Sequence, residues 1–341
     1  MNPNFEQILD SYIHEQMQHK RLPGLSLAVI KDGATIIEKS YGLANVELGV
    51  RTTSDTVYEI ASMTKGFTAA AIMLLVAAGE LSLDEGLSRF RADLPDAWAA
   101  VTVRRLITHT SGIPQWELDW DREELTLAEI EQAAFGQPLR FAPGTAFEYV
   151  DTNYNLLGMI IHQLTGAPYD SFLQERIFQP LGMSATRHND VRAIVPNRAE
   201  GYEWANEQLR KSFRIQWNNI NRSPALPANA ANGGLLSSLR DMIKWDAALT
   251  NGQILAQARQ DELWSPLVLN NGLPLPDDHD WHVKTVRGRQ LIEFGGGIWG
   301  FTTCMARFVE DRLTVIILTN QDSQPWAMCQ DVARLLEPAL A

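Results

Sequence analysis

The sequence predicts a mixed α/β fold of the α+β kind. An antiparallel sheet is built from both chain termini and flanked by helices, and a mostly helical lobe is inserted between its halves. Three observations carry this. Strand-like runs stand near both ends: Leu25 to Ile30 and Ala34 to Glu38 at one, and Leu291 to Phe294, Phe301 to Phe308 and Leu313 to Thr319 at the other. The middle of the chain is richer in helical periodicity. No internal repeat, low-complexity tract or long linker divides it. One composite domain over 1–341 is expected, with approximately 1–60 and 270–341 as a sheet lobe and 61–269 as a mostly helical lobe. The cleft between the lobes is the expected site.

Each element has its own signal. Phe5, Ile8, Leu9, Tyr12, Ile13 and Met17 recur at helical spacing and give an amphipathic first helix. Lys31-Asp32-Gly33 then separates the first two runs as a hairpin turn. A long helix begins around Ser62 and is nearly all apolar from Phe67 to Ala78, which implies burial through the middle of the domain. Further helices are expected over Val103 to Thr108, Asn153 to Leu164, Tyr169 to Phe178 and Leu239 to Leu249. Asn218 to Asn232, with Pro224 and Pro227, is the most loop-like segment, either a part of the cleft rim or a plain surface excursion. Val309-Glu310-Asp311-Arg312 reads as the turn between the last two strands, and Trp326 to Leu336 closes the chain as a helix.

Composition narrows the function classes. The 341 residues, 45% of them hydrophobic, suffice for a large core. A formal charge of -12 argues against nucleic acid or an anionic membrane surface as partner. Only Cys304 and Cys329 are present, both in apolar settings, so reduced thiols are expected in place of a disulfide framework. The N-terminal residues lack the basic and apolar segments of a secretory leader, and the longest apolar run, Ala69 to Ala78, falls short of the roughly 20 residues a membrane helix needs. A soluble, cytoplasmic protein is the expectation, and that address disfavours cell-wall transpeptidation.

The most informative stretch is Ser62-Met63-Thr64-Lys65, at the start of the long apolar helix. Three residues apart, hydroxyl and amine lie on one helical face, so the amine can reach the hydroxyl. Serine is a poor nucleophile at neutral pH until a neighbouring base takes its proton, and a helix N-terminus favours developing negative charge. Taken alone, the pair also fits an N-cap serine with a solvated lysine. Other candidates are weaker. Gly295, Gly297 and Gly300 satisfy a dinucleotide-type glycine spacing, yet Phe301 to Met305 continues as strand where that motif needs a helix. Asp277-Asp278-His279-Asp280-Trp281-His282 reads as a solvated turn and not a metal site. No Gly-x-Ser-x-Gly elbow occurs, and the sequon Asn221-Arg222-Ser223 stands without any sign of secretion.

The surroundings of Ser62 decide the matter. Val57-Tyr58-Glu59-Ile60-Ala61-Ser62-Met63-Thr64-Lys65 and Gly79-Glu80-Leu81-Ser82-Leu83-Asp84 are followed by Leu106-Ile107-Thr108-His109-Thr110-Ser111-Gly112-Ile113. Next come Phe141-Ala142-Pro143-Gly144-Thr145, Tyr149-Val150-Asp151-Thr152-Asn153-Tyr154, Pro180-Leu181-Gly182-Met183 and Gly233-Gly234-Leu235-Leu236-Ser237-Ser238. In this order they resemble the serine β-lactamase and penicillin-binding protein superfamily, in its class C-like branch, over almost the whole chain. Two departures stand out. Asp151 occupies the place of an asparagine in the family's Tyr-x-Asn motif, and Phe294-Gly295-Gly296 stands where Lys-Thr-Gly or His-x-Gly is usual. The aromatic-Gly-Gly motif is most similar to the β-lactamase-like carboxylesterases.

The resemblance implies a β-lactamase/transpeptidase-like fold, no cofactor and a small-molecule ester or amide substrate. It implies Ser62 as the nucleophile of an acyl-enzyme, Lys65 and Tyr149 as the proton-handling pair, and the backbone N–H groups of Ser62 and Gly297 as the oxyanion hole. Gly297 suits close backbone approach, and Lys65 beside Tyr149 is expected to lower the phenol's pKa. Asp151, Phe294 and Trp299 are the candidate substrate-binding residues. Asp151 has two readings: beside Lys65 it would keep the lysine protonated and leave base duty to Tyr149, and turned away it would only cap the helix from Asn153. His109 is expected to be a hydrogen-bonded structural histidine. Phe294 leaves a substrate carboxylate without its usual cation. The leading expectation is therefore a carboxylesterase on small neutral esters, with weak β-lactam hydrolysis compatible. The alternatives are a D-aminopeptidase, D,D-peptidase or β-lactamase, and a non-catalytic penicillin-binding-like module.

Overall fold

Alternation along the terminal strands builds the centre of the molecule. In the computed structural model, which describes residues 4–92, 94–115, 135, 137–190, 192–212, 230–275, 283–286, 288–323 and 325–336, twelve strands are assigned. They are β1 Gly24–Lys31, β2 Ala34–Asn45, β3 Val50–Arg51, β4 Val57–Glu59, β5 Arg187–His188 and β6 Tyr202–Ala205, then β7 Gln208–Lys211, β8 Leu235–Ser238, β9 Val283–Val286, β10 Arg289–Ile298, β11 Phe301–Phe308 and β12 Leu313–Thr319. Seven of them form the main sheet in the order β3-β2-β1-β12-β11-β10-β9. The two ends of the chain meet at its centre, where β1 pairs antiparallel with β12 from Leu25 opposite Thr319 to Lys31 opposite Leu313. The β1–β2 hairpin closes through Asp32 and Gly33, both at positive φ, as a two-residue turn matched to strand twist requires.

Because successive side chains point to opposite faces, Leu25, Leu27, Val29, Val315 and Ile317 enter one core, with Phe5, Leu9 and Ile13 of helix Phe5–Lys20 and Met328 and Val332 of helix Pro325–Leu336. Ala28, Ile30, Ile316 and Leu318 enter the other, with Phe67, Ile72 and Met73 of helix Thr64–Ala77. That helix is buried nearly throughout. Phe67 lies 4.4 Å, centroid to centroid, from Trp245 of helix Leu239–Thr250, a contact adding to the roughly 1.5–3 kcal/mol gained by burying each such side chain. The mixed α/β architecture, with its large antiparallel sheet flanked by helices, agrees with the sequence. β2 runs seven residues past the expected Glu38, to Asn45. The expected Tyr169 to Phe178 helix is α-helical over Tyr169–Leu173 and continues as a π turn over Gln174–Phe178.

A second, three-stranded sheet, β4-β8-β5, leads the chain toward Ser62. Cys304 and Cys329 are free and buried. Among the described residues no helix is long and apolar enough to cross a membrane. The sequon at Asn221, the acidic run from Asp277 to His282 and most of the loop-like Asn218 to Asn232 lie outside the described residues.

Candidate active site

Ser62 is presented by a strained turn held from two sides. After β4, the Ile60 N–H donates to the Leu235 carbonyl on β8 at 3.0 Å, while the Ile60 carbonyl accepts from Thr303 Oγ1 on β11 at 3.0 Å. The same carbonyl lies against Gly296 of β10, where a Cβ would stand only 2.1 Å from it. Ala61 then adopts φ +47°, the left-handed region that alanine pays to enter. The turn Ala61–Met63 carries Ser62 into helix Thr64–Ala77. Ser62 thus stands in a short 3₁₀ turn before the helix, half-buried at the cleft, with Lys65 one turn on and 0% exposed.

Lys65 Nζ lies 3.1 Å from Ser62 Oγ, 2.8 Å from Asp151 Oδ1 and 2.8 Å from the Asn232 carbonyl, and the Tyr149 hydroxyl hydrogen-bonds both Lys65 and Ser62. Lys65 Nζ also lies 4.8 Å from the centroid of the Tyr149 ring. Of the two readings of Asp151, the one beside Lys65 is observed; its side chain is 24% exposed. Asp151 opens helix Asp151–Thr165, and its N–H donates to Gln115 Oε1 at 2.7 Å.

The segment around His109 buttresses this arrangement. His109 Nδ1 accepts from the Val150 N–H at 3.3 Å and contacts Asn153 Nδ2 at 3.2 Å, and its ring stacks on Tyr149 with centroids 4.5 Å apart. Ser111 Oγ donates to Asn153 Oδ1 at 2.7 Å. His109 is therefore a buried, hydrogen-bonded support for Tyr149, as its sequence context led us to expect. Gly112 is required here: at φ +78° its missing Cβ would sit 2.0 Å from the Phe141 carbonyl.

The electrostatics differ from expectation at Tyr149. Burial opposes the Lys65 ammonium, but Asp151 and then Tyr149 outweigh it and hold the group above the ordinary lysine value. Burial is also the largest influence on Tyr149 and raises it; Asp151 adds to that rise, and Lys65 and Ser62 oppose it without prevailing. The phenol is thus shifted up, where the lysine alone would have moved it down.

A cleft of about 470 Å³ opens over Ser62, with Tyr149, Asp151, Gly297 and Trp299 in its lining. Trp299 is 46% exposed at the mouth. Phe294 is a correction: it is 2% exposed, lies beneath the cleft against Gly66 and meets Trp264 edge to face at 5.6 Å, so it offers no surface to a substrate. The side-chain alternation that puts Gly296 against Ile60 also sends Phe294 into the core. Gly297 faces the cleft, where a Cβ would meet nothing nearer than 3.8 Å, and the close approaches to protein atoms belong to Gly295, against Trp326, and Gly296.

Sequence reasoning missed Asn232, Glu203 and Asp322, all of which line the cleft. Tyr202 bridges Gln321 in parallel, which sets Glu203 and Asp322 side by side. Neither carboxylate forms an ion pair among the described residues, although Arg210 lies opposite Glu203 across the β6–β7 ribbon. No described residue of the lining is basic. Among the described residues no group of three His, Cys, Asp or Glu side chains is placed to hold a metal ion.

Comparison with known proteins agrees with this fold. The beta-lactamase family model matches residues 9–339. The chain is 28% identical over 303 residues to penicillin-binding protein 4* of Bacillus subtilis (strain 168), a match covering 85% of this chain and 66% of that protein. It is 32% identical over 205 residues to protein flp of Staphylococcus aureus (strain MW2), covering 58% of this chain and 41% of that one. The match thus spans less than two thirds of either relative. Among solved structures, the octameric penicillin-binding protein homologue from Pyrococcus abyssi superposes with a TM-score of 0.80 at 27% identity, covering 98% of this chain and 77% of that one. The D-amino acid amidase from Ochrobactrum anthropi SV3, complexed with L-phenylalanine amide, gives a TM-score of 0.77 at 27% identity, covering 98% and 100%.

Proposed function

The chain belongs to the beta-lactamase family of serine hydrolases, and from that premise we propose that it is a carboxylesterase acting on small neutral esters through a Ser62 acyl-enzyme. The observation that carries this reading is the 3.1 Å contact between Lys65 Nζ and Ser62 Oγ at the floor of an open cleft. Ser62 Oγ attacks the ester carbonyl, its proton passing to the Lys65–Tyr149 pair as the new O–C bond forms and the carbonyl π pair moves to oxygen. The backbone N–H groups of Ser62 and Gly297 receive that oxyanion, a contribution of roughly 3–4 kcal/mol per donor in comparable sites. Collapse expels the alcohol, which takes the proton from the pair, and water then releases the acid by the same steps in reverse order.

Selectivity against anionic substrates rests on the lining of the cleft. A penicillin carboxylate would meet Glu203 and Asp322 with no basic group among the described lining residues, and a neutral ester avoids that repulsion. Neutral short-chain p-nitrophenyl esters should exceed penicillins at least about a hundredfold in kcat/KM, or about 2.7 kcal/mol. Steady-state kinetics on those esters, D-amino-acid anilides, a cephalosporin and benzylpenicillin would test this. Efficient benzylpenicillin hydrolysis with little esterase activity would overturn it. The side-by-side Glu203 and Asp322 favour one second reading, an amidase of the D-amino acid amidase type, because two carboxylates with no ion pair among the described residues suit the ammonium of an aminoacyl amide. Anilide turnover above ester turnover would select it.

A further inference from the structure

The partners of Lys65 Nζ are not equivalent. The Asp151 carboxylate and the Asn232 carbonyl can only accept, so those two bonds are N–H donations whether the group is charged or neutral. The Ser62 and Tyr149 hydroxyls can reverse, because each accepts from an ammonium and can donate to an amine. In the ammonium, the remaining hydrogen of Nζ is directed at these hydroxyls. In the amine, a lone pair occupies that direction and accepts the Oγ hydrogen, directly or through the Tyr149 hydroxyl, which also hydrogen-bonds Ser62. Loss of one proton from the Lys65–Tyr149 pair therefore aims the serine at its base.

Asp151 controls how readily that proton leaves. We propose that Asp151 is a positioning residue that keeps Lys65 an ammonium in the resting site, so that the hydrolase is armed by loss of a single proton and gains rate toward alkaline pH. The inference rests on the Ser62 acyl-enzyme reading above. The groups facing the pair reinforce it: Tyr149 and Tyr154, with Lys65 Nζ 5.7 Å from the Tyr154 ring centroid, His109 stacked behind Tyr149, and Glu203 and Asp322 across the cleft. No described cation other than Lys65 enters this set. Asp151 is also an upward influence on both Lys65 and Tyr149, so a neutral side chain there lowers both proton handlers together. On attack by the armed site, the Ser62 proton moves to the Lys65–Tyr149 pair, the O–H pair becomes the O–C bond as the carbonyl π pair moves to oxygen, and on collapse the alkoxide leaving group takes the proton back.

The test is the pH dependence, from pH 6 to 10.5, of acylation by a neutral fluorophosphonate and of kcat/KM for a neutral ester, in the wild-type chain, Asp151→Asn and Asp151→Glu. The wild type should still gain rate above pH 9. Asp151→Asn should move the rising limb down by at least about one pH unit, tenfold in rate at any pH below the limb, and Asp151→Glu should leave it in place. A wild-type plateau reached below pH 8 overturns the proposal and is read without any variant. So does an Asp151→Asn limb that stays or moves up, or a loss equal at every pH, the result a purely structural role would give. No covalent adduct at Ser62 at any pH overturns the acyl-enzyme reading itself, whereas labelling with an unmoved limb overturns only the role of Asp151.

Discussion

Against the outer face of the main sheet, helices Phe5–Lys20 and Pro325–Leu336 bury an apolar set: Phe5, Leu9, Ile13, Met328 and Val332. The inner layer buries a larger apolar set together with Thr64, Lys65, Thr68, Asn153 and Asn232. Its polar groups need specific partners, such as the Ala231 carbonyl for Thr68 Oγ1 at 2.6 Å and Ser111 for Asn153 at 2.7 Å, because a buried polar group left unpaired costs about 1–3 kcal/mol. The outer layer thus serves cohesion and tolerates graded change in volume. The inner layer accepts desolvation of a lysine so that its amine can reach a hydroxyl, and there the identity of single atoms decides the outcome.

The largest expected effect lies at the inner layer's cleft edge. Ser62→Ala should remove turnover by about 10⁴-fold or more and abolish covalent labelling seen by mass spectrometry, with stability unchanged within about 1 kcal/mol. Labelling that persists would move the nucleophile elsewhere. Phe294→Lys comes next. It places an unpaired ammonium against Gly66 and Trp264, and urea denaturation should record a loss of about 3–5 kcal/mol without any gain in benzylpenicillin turnover. Intact stability with improved penicillin turnover would mean that this position does reach the cleft. The smallest effect belongs to the outer layer: Leu27→Ala should cost about 2–4 kcal/mol while kcat at 25 °C stays within a factor of two. If kcat fell with stability, the two layers would not be separable.

The outer layer was also the more legible of the two. β11 and β12 match their expected limits because alternating apolar runs are bounded there by a turn at Val309 to Arg312. Ser62, Lys65 and the Tyr149–Asp151 stretch converge because a helical face and an ordered set of motifs point to them. Glu203 and Asp322 escaped notice because lone acidic residues in loops and short strands carry no local signal, and only the Tyr202–Gln321 bridge makes them neighbours. The burial of Phe294 is hidden from the sequence for a different reason. Its place in a motif is a matter of sequence, whereas its direction depends on which face of β10 meets Ile60. The direction of the Tyr149 shift likewise needed the depth of burial, which residue types do not encode.

The clasp on the Ile60 carbonyl also has a consequence in time. Thr303, which donates to it, is 243 residues further along the chain. At roughly 5–20 residues per second of synthesis, that separation takes on the order of tens of seconds. Until β10 and β11 have left the ribosome, neither Thr303 nor Gly296 is present to fix the turn at Ala61, and β1 lacks its β12 partner. The geometry that brings Ser62 to Lys65 at the cleft is therefore complete only once the last strands have docked.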